Sequence, residues 1–317
     1  MASGAESAVD DTDVTATRRA SRRRSLVSGL LAVAMVGAFA WALAGQWSDI
    51  AAALTDQPPA ALVGSLVVAL AGVYLSFLLW RGTLAALGSP LPVRPAARLF
   101  FVTQLGKYLP GAVWPILAQM RMGREHGVPR QRMALAFLLT LGLATVVGVL
   151  LGVAALPALL RAEGRVVLLG LLVVPVLVLL LVPRVINGLL ATGLRLLRRP
   201  GLDAPLLGRD VARGVGSALL FWLVYGSHVW LLAVGLGADP LESFPVALGG
   251  FAIAFSLGPL LVVLPAGAGV REAVLVVLLS GVLSTPEATA VALTSRGILM
   301  LVDGLLALGA VAVPRPR

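Results

Sequence analysis

Charged side chains stand within apolar stretches at five positions of the chain. Lys107 interrupts one apolar segment, Arg271 and Glu272 directly follow another, and Arg296 and Asp303 lie within the last one. Ionisable groups in such segments are costly to bury, so they indicate a functional site. An ammonium or guanidinium group can hold an anion such as phosphate, and a carboxylate can hold a cation or balance the charge.

The spacing of these groups predicts ion pairs. Arg296 and Asp303 are seven residues apart, which places them two turns apart on one helix face. We expect Arg296 to pair with Glu272, and Asp303 to pair with Arg271. The alternatives are ion pairs that only fix helix packing, a Glu272 that caps its own helix, and a Lys107 that extends to the headgroup region.

The segment around Lys107, residues 99–120, is long enough to cross a bilayer but is interrupted. Pro110 and Pro115 each remove a backbone donor and disturb a helix. Arginines flank the segment on both sides, at 94–98 and at 121–132. A spanning helix would place one of these clusters outside, so we expect a re-entrant hairpin whose freed carbonyl groups face protein or a wet cavity.

A second apolar run, residues 258–272, is interrupted in the same way by Pro265, Gly267 and Gly269. Its motif Leu-Pro-Ala-Gly begins 155 residues after the Leu-Pro-Gly motif that ends at Gly111. Broken apolar segments at matching positions of two halves indicate a transport site. Because each half begins on the same side in the expected topology, we predict parallel repeats. The alternative is a pair of ordinary proline kinks.

Composition restricts the class of protein. Of 317 residues, 59% are hydrophobic and 13% are charged, which excludes a water-soluble enzyme. With no cysteine and two histidines, metal sites and disulfides are not expected. The net charge of +10 is typical of arginines in cytoplasmic loops and does not require nucleic acid. No nucleophile–base pair or Walker motif is present, so we expect neither an enzyme nor a cofactor.

Hydropathy predicts an all-α, polytopic membrane protein with about eight transmembrane helices plus the broken segment. The domain prediction is a disordered cytoplasmic tail at 1–25, one transmembrane domain at 26–313 with halves at 26–183 and 214–313, and a short tail at 314–317. Arginine-rich loops place both termini in the cytoplasm of a bacterial cell. The predicted spans are 26–45, 59–80, 133–157, 166–183, 214–236, 246–264, 270–285 and 289–313.

Most of residues 26–313 resembles the lysylphosphatidylglycerol synthase transmembrane, flippase-like family. The resemblance is carried by Gln-Leu-Gly-Lys-Tyr-Leu-Pro-Gly at 104–111, Arg121, the basic stretch 124–132, Leu-Pro-x-Gly-x-Gly-Val-Arg-Glu ending at Glu272, and Arg296. It implies a membrane domain that moves aminoacylated phosphatidylglycerol between leaflets. The chain ends four residues after its last predicted span, so we expect the translocating part without the soluble aminoacyl-transferase domain.

Together, the residues and the resemblance predict a translocase for a phospholipid or lipid-linked headgroup in the cell membrane. The alternatives are a non-transporting partner of a separately encoded glycosyl- or aminoacyl-transferase, and a secondary transporter for a small solute. No nucleic-acid partner is expected. The candidate substrate-binding residues are Lys107, Tyr108, Pro110, Gly111, Arg121, Pro265, Gly267, Gly269, Arg271, Glu272, Arg296 and Asp303.

Overall fold

The structure, a computed structural model, describes residues 47–109, 113–155, 173–257 and 269–312, with isolated positions between 30 and 44. These residues form helices joined by short turns and include no strand, which confirms the all-α class. The predicted tails at 1–25 and 314–317 lie outside the described residues, as does most of the predicted span 26–45.

Three helices begin at a proline, namely Pro59, Pro183 and Pro240. A proline lacks an N–H group, but the first turn of a helix does not need that donor for a hydrogen bond within the helix. The helices are α1 (Trp47–Thr55), α2 (Pro59–Ala86), α3 (Val93–Gln104), α4 (Trp114–Arg124), α5 (Arg130–Ala154), α6 (Val173–Leu180), α7 (Pro183–Leu196), α8 (Gly208–Gly235), α9 (Pro240–Leu257), α10 (Val270–Leu279) and α11 (Thr285–Ala312). A 3-10 turn, Leu105–Tyr108, extends α3.

Five described helices are long and apolar enough to cross a membrane, namely α2, α5, α8, α9 and α11. The pair α6 and α7, bent by 72°, makes a sixth if it counts as one span. The prediction of a span at 270–285 is wrong. Helix α10 has ten residues and a length of about 15 Å, half the thickness of a hydrocarbon core. The predicted span 166–183 lies largely outside the described residues.

The helices that flank each interrupted segment pack against each other, α3 against α4 and α9 against α10. Residues 110–112 and 258–268 of these segments lie outside the described residues. Helices α3 and α4 have 12 and 11 residues, too few for either to span a bilayer. The packing of α3 on α4 agrees with the predicted hairpin at 99–120. We call the pair α3 and α4 the first hairpin and the pair α9 and α10 the second hairpin.

Helix packing agrees with the predicted two-fold internal repeat. The four helices α2 to α5 correspond in order to the four helices α8 to α11, and corresponding pairs make corresponding contacts. Helix α3 packs on α11, just as α9 packs on α5. Helix α2 contacts α11, just as α8 contacts α5. Helix α4 ends at Arg124 and α10 at Leu279, while α5 begins at Arg130 and α11 at Thr285. Both offsets equal the 155 residues between the Leu-Pro motifs.

The repeat is inverted, so the prediction of parallel halves is wrong. Helices α2 and α8, which exchange with each other, pack antiparallel, because Gly72 lies against Tyr225 whereas Gly64 lies against Leu231. Ser65 hydrogen-bonds the carbonyl of residue 228 between these two contacts, at 3.0 Å. The prediction failed because it counted halves from the first apolar run, whereas the repeat begins at α2.

Inversion makes the two hairpins enter from opposite ends of the bundle. Each hairpin begins where its preceding long helix ends, α3 after α2 and α9 after α8. Since α2 and α8 are antiparallel, those starting points lie at opposite ends. The end at which α2 finishes and α8 begins carries arginines, among them Arg94, Arg98 and Arg209, whereas the loop 237–245 at the other end has none.

Candidate functional site

The two hairpins meet at a cavity of about 280 Å³ inside the bundle. Its wall includes Lys107 and Tyr108 from the tip of the first hairpin and Arg271 from the start of α10 in the second. Helix α11 adds Arg296 and Asp303 to the same wall. The charged residues predicted from apolar segments are thus brought together from positions nearly 200 residues apart.

Asp303 binds the tip of the first hairpin. Its Oδ2 atom lies 2.6 Å from Lys107 Nζ and accepts a hydrogen bond of 2.7 Å from the Tyr108 hydroxyl. The 3-10 turn sets this geometry by placing two consecutive side chains toward α11. The predicted pairing of Asp303 with Arg271 is therefore wrong, because the inverted repeat brings the first hairpin, rather than α10, to this turn of α11.

Glu272 joins α10 to α11. Its Oε1 atom lies 2.8 Å from Arg296 Nη1 and 3.2 Å from Arg271 Nη2, so the predicted pairing with Arg296 is confirmed. Its Oε2 atom accepts a hydrogen bond of 2.7 Å from the Gly269 N–H, which caps α10. Gly269 has a φ of +82°, a conformation that favours glycine. Glu272 is thus both a helix cap and an ion-pair partner.

The site has an excess of positive charge. Among the described residues, the cations Lys107, Arg271 and Arg296 face the carboxylates Glu272 and Asp303, which leaves one positive charge in excess. Arg296 and Asp303 are 3% and 4% exposed, so water screens this charge weakly.

Several buried polar atoms around the cavity have no hydrogen-bond partner among the described residues. They are the Gln119 amide nitrogen, Arg296 Nε, and the hydroxyls of Thr140 and Ser256. Gln119 is oriented by its neighbour, since its Oε1 accepts a hydrogen bond of 3.0 Å from the Trp80 indole, leaving its amide hydrogens free. Buried polar groups are normally satisfied by protein or by ordered water. These four atoms have less than 1 Å² of accessible surface each, so they lie behind the cavity surface rather than on it.

The sequence model of the lysylphosphatidylglycerol synthase TM region matches residues 25–307. The chain belongs to this family. A comparison with curated proteins finds no match. The apolar helices and the family match together establish a multi-pass membrane protein.

In this family member, the remaining predicted site residues separate into two groups. Tyr108 is 3% exposed and lines the cavity, whereas Arg121, half-buried in the last turn of α4, is not among the lining residues. The predicted residues outside the described part of the chain are Pro110, Gly111, Pro265 and Gly267. Among the residues that the structure describes, no group of acids and histidines could hold a metal ion.

Sequence reasoning missed Gln119, Thr140 and Ser256 in this member of the family. Uncharged polar residues are common in membrane helices, so their types alone were not informative. A usable signal existed for Gln119, because it lies within the first interrupted segment, between the proline break and the flanking arginines. The positions of Thr140 and Ser256 became meaningful only when α5 and α9 were seen to border the same cavity.

Proposed function

We propose that this protein moves the polar headgroup of a phospholipid or lipid-linked molecule between the leaflets of the cell membrane, without a covalent reaction. The observation that carries the proposal is that two opposed hairpins contribute charged residues to one cavity, which is partly open to the outside. Membership of the lysylphosphatidylglycerol synthase TM region family supports it.

The cavity meets the physical requirement of such transport. A charged headgroup in bare hydrocarbon is unfavourable by several kcal/mol or more, so a protein must replace its water with polar groups. The cavity wall combines the charged residues Lys107, Arg271, Arg296 and Asp303 with the aromatic residues Trp80, Phe100 and Trp222. Its volume of about 280 Å³ suits a headgroup and is too small for a whole lipid, so acyl chains would stay in the bilayer.

The inverted repeat supports access from two sides. Inverted repeats are common in transporters, where one half rocks against the other around a central site. Here the tip of the first hairpin is attached to α11 through Lys107 and Asp303, and the second hairpin through Glu272 and Arg296. A ligand anion that competes for Lys107 or Arg296 would loosen one attachment, which couples occupancy to hairpin movement.

The charge distribution supports an orientation. Arginines concentrate at the end of the bundle where α2 finishes and α8 begins, and positively charged loops favour the cytoplasm. The first hairpin therefore enters from the cytoplasm and the second from outside, with both termini cytoplasmic.

The test is a leaflet-exchange assay. Purified protein is placed in liposomes with a fluorescent phospholipid, and a membrane-impermeant quencher reports which leaflet holds it. We expect fast exchange for the wild type, loss of exchange for Lys107→Ala and Glu272→Gln, and retention for Arg213→Ala, which removes an exposed cation far from the cavity. Thermal unfolding in detergent checks that each variant is folded.

The opposite outcome would favour another function. Exchange no faster than in empty liposomes, across several headgroups and with an imposed ion gradient, would contradict translocation. A stable complex with a separately encoded transferase would then support the accessory role. Uptake of a labelled soluble solute without lipid movement would support a solute transporter.

A further inference from the structure

Helix α7 is held at the end of the bundle where α5 and α8 begin. Near its start, Asn187 Nδ2 donates a hydrogen bond of 3.0 Å to the carbonyl of Leu206, two residues before α8. The Leu206 N–H donates in return to Asn187 Oδ1 at 2.9 Å. Beyond the end of α7, Gln131 in the first turn of α5 donates to the Pro200 carbonyl at 2.7 Å. Contacts on both sides thus fix α7 at the arginine-rich end.

The length and direction of α7 also separate it from the membrane-crossing helices. It is bent by 72° from α6, and its fourteen residues have a length of about 21 Å. A hydrocarbon core is about 30 Å thick. A helix of this length, held at one end of the bundle, lies beside the headgroups of one leaflet.

The apolar side chains of α7 divide between an inner and an outer face. Ile186 and Leu194 are 6% and 4% exposed and pack in the hydrophobic core. Leu189 and Leu196, seven residues apart and therefore on one stripe of the helix, are 57% and 79% exposed. Leu197, in the turn that follows, is 72% exposed. The outer leucines therefore need an apolar environment that the protein does not supply.

Arginines lie beside these leucines. Arg184 and Arg195 are exposed and eleven residues apart, so they share a second outer stripe of the helix. Arg198 and Arg199 are exposed in the turn after α7. The sequence has no acid between the start of α7 and Asp203, which is itself ion-paired with an arginine of α5. No acid of this segment therefore offsets its four positive charges.

We propose that these exposed leucines and arginines, here called the α7 surface, bind anionic phospholipids of the adjacent leaflet. The leucines fit the apolar edge of the leaflet, and the arginines fit the phosphate groups of its headgroups. An acidic soluble partner would match the charge but would leave the leucines without an apolar contact in the bilayer. The α7 surface is separate from the cavity, and its lipid binding does not depend on translocation.

Lipid contact can be measured without transport, because the chain has no cysteine and accepts a single label. Leu196→Cys in the full chain carries an NBD fluorophore, in phosphatidylcholine nanodiscs that contain equal fractions of doxyl-labelled phosphatidylglycerol or phosphatidylcholine. Val67→Cys is the matched probe, since Val67 is 59% exposed and lies in an uncharged stretch of α2. Quenching by each doxyl lipid gives its relative affinity for the probe position.

We expect both doxyl lipids to quench the Leu196 probe, with an affinity for phosphatidylglycerol at least about fivefold higher than for phosphatidylcholine. Added salt should lower this ratio, because exposed charges are screened. The Val67 probe should show similar quenching by the two lipids. The salt dependence tests the charge recognition without any further substitution.

Two double variants assign the preference to the α7 surface. Arg198→Gln with Arg199→Gln should lower the lipid ratio at the Leu196 probe by about half or more, while quenching by phosphatidylcholine persists. Arg209→Gln with Arg213→Gln removes the same charge at the same end of the bundle. Asp210 lies within 4.0 Å of both of those arginines, so this control pair should change the ratio little.

Three results would overturn the proposal. Equal quenching by the two lipids at Leu196 would show lipid contact without charge recognition. Quenching by aqueous iodide but not by doxyl lipid would place α7 away from the bilayer and favour a soluble partner. A preference that persists at high salt or in the Arg198 and Arg199 variant would exclude these arginines as the binding groups.

Discussion

The two halves of the molecule share one helix arrangement but divide the chemistry unequally. The second half supplies four charged residues to the site, Arg271, Glu272, Arg296 and Asp303, whereas the first half supplies one, Lys107. At the 155-residue offset, the counterparts of Arg271, Glu272, Arg296 and Asp303 are Ile116, Leu117, Leu141 and Gly148.

The difference shows that a repeat can keep its scaffold while one copy loses or gains the polar site. Leu141 also lines the cavity, so the first half contributes an apolar residue at the position where the second half has Arg296. Gly148 contributes close packing at the position where the second half has an acid, since α5 there contacts Trp222 and Ser256. An amphipathic cavity results from this division.

The prediction with the largest expected effect tests whether the two halves have opposite orientations in the membrane. The chain has no cysteine, so single cysteines can be placed at the starts of α2 and α8, at exposed Asp56 and Arg209. Because these helices are antiparallel, we expect an impermeant thiol reagent to label the two positions from opposite sides of sealed vesicles. Labelling of both from the same side would contradict the inverted repeat.

The next prediction compares the stability contributed by Glu272 in the second half with that contributed by its counterpart Leu117 in the first half. Glu272→Leu gives α10 the residue of its counterpart and leaves Arg271 and Arg296 without a carboxylate. We expect a loss of about 3–5 kcal/mol of unfolding free energy. Chemical unfolding in detergent measures it.

The matched control for that substitution lies in the first half. Leu117 is 47% exposed in α4, so Leu117→Ala should lower the free energy of unfolding by less than about 1 kcal/mol. The double variant Glu272→Leu with Arg296→Leu should regain part of the lost stability. Comparable losses at Glu272 and Leu117 would show that the two halves are not chemically different.

A smaller effect tests the close packing that replaces charge in the first half. A Cβ atom added at Gly148 would lie 2.7 Å from the Trp222 ring and 2.8 Å from Ser256 Oγ. Gly148→Ala should therefore lower the free energy of unfolding by about 1–3 kcal/mol. Gly142→Ala on the same helix meets no atom within 4 Å and should be neutral or stabilising in thermal unfolding.

The smallest effect concerns the helix pair that the two halves share. Ser65 of α2 donates a hydrogen bond of 3.0 Å to the carbonyl of residue 228 in α8. Hydrogen bonds between membrane helices contribute about 0.6 kcal/mol on average, so Ser65→Ala should lower stability by that amount. Ser227→Ala removes a bond within α8 only and serves as the control. A larger loss for Ser227 would place the stabilisation within α8 rather than between the halves.

Local features of the chain were readable from the sequence. Hydropathy determined the class and located α2, α5 and α8, because apolar length is a property of the segment itself. It did not give their limits, since α2 ends six residues after the predicted end at 80 and α8 begins six residues before the predicted start at 214. Prolines and glycines located both breaks, and the 155-residue offset of the Leu-Pro motifs matches the offset of the helices around them. The pairing of Arg296 with Glu272 also followed, since it joins neighbouring helices of one half.

Only the tertiary structure decided which distant groups meet. Asp303 pairs with Lys107 because inversion brings a hairpin from the other half to α11, and no sequence spacing encodes the relative direction of two helices. Gln119 was recognised beside the site only because Trp80 donates a hydrogen bond to its side chain in the wall of a cavity that exists only between packed helices. Sequence determines where the chain is apolar and where it breaks, whereas packing determines which charged residues meet and which of them line the cavity.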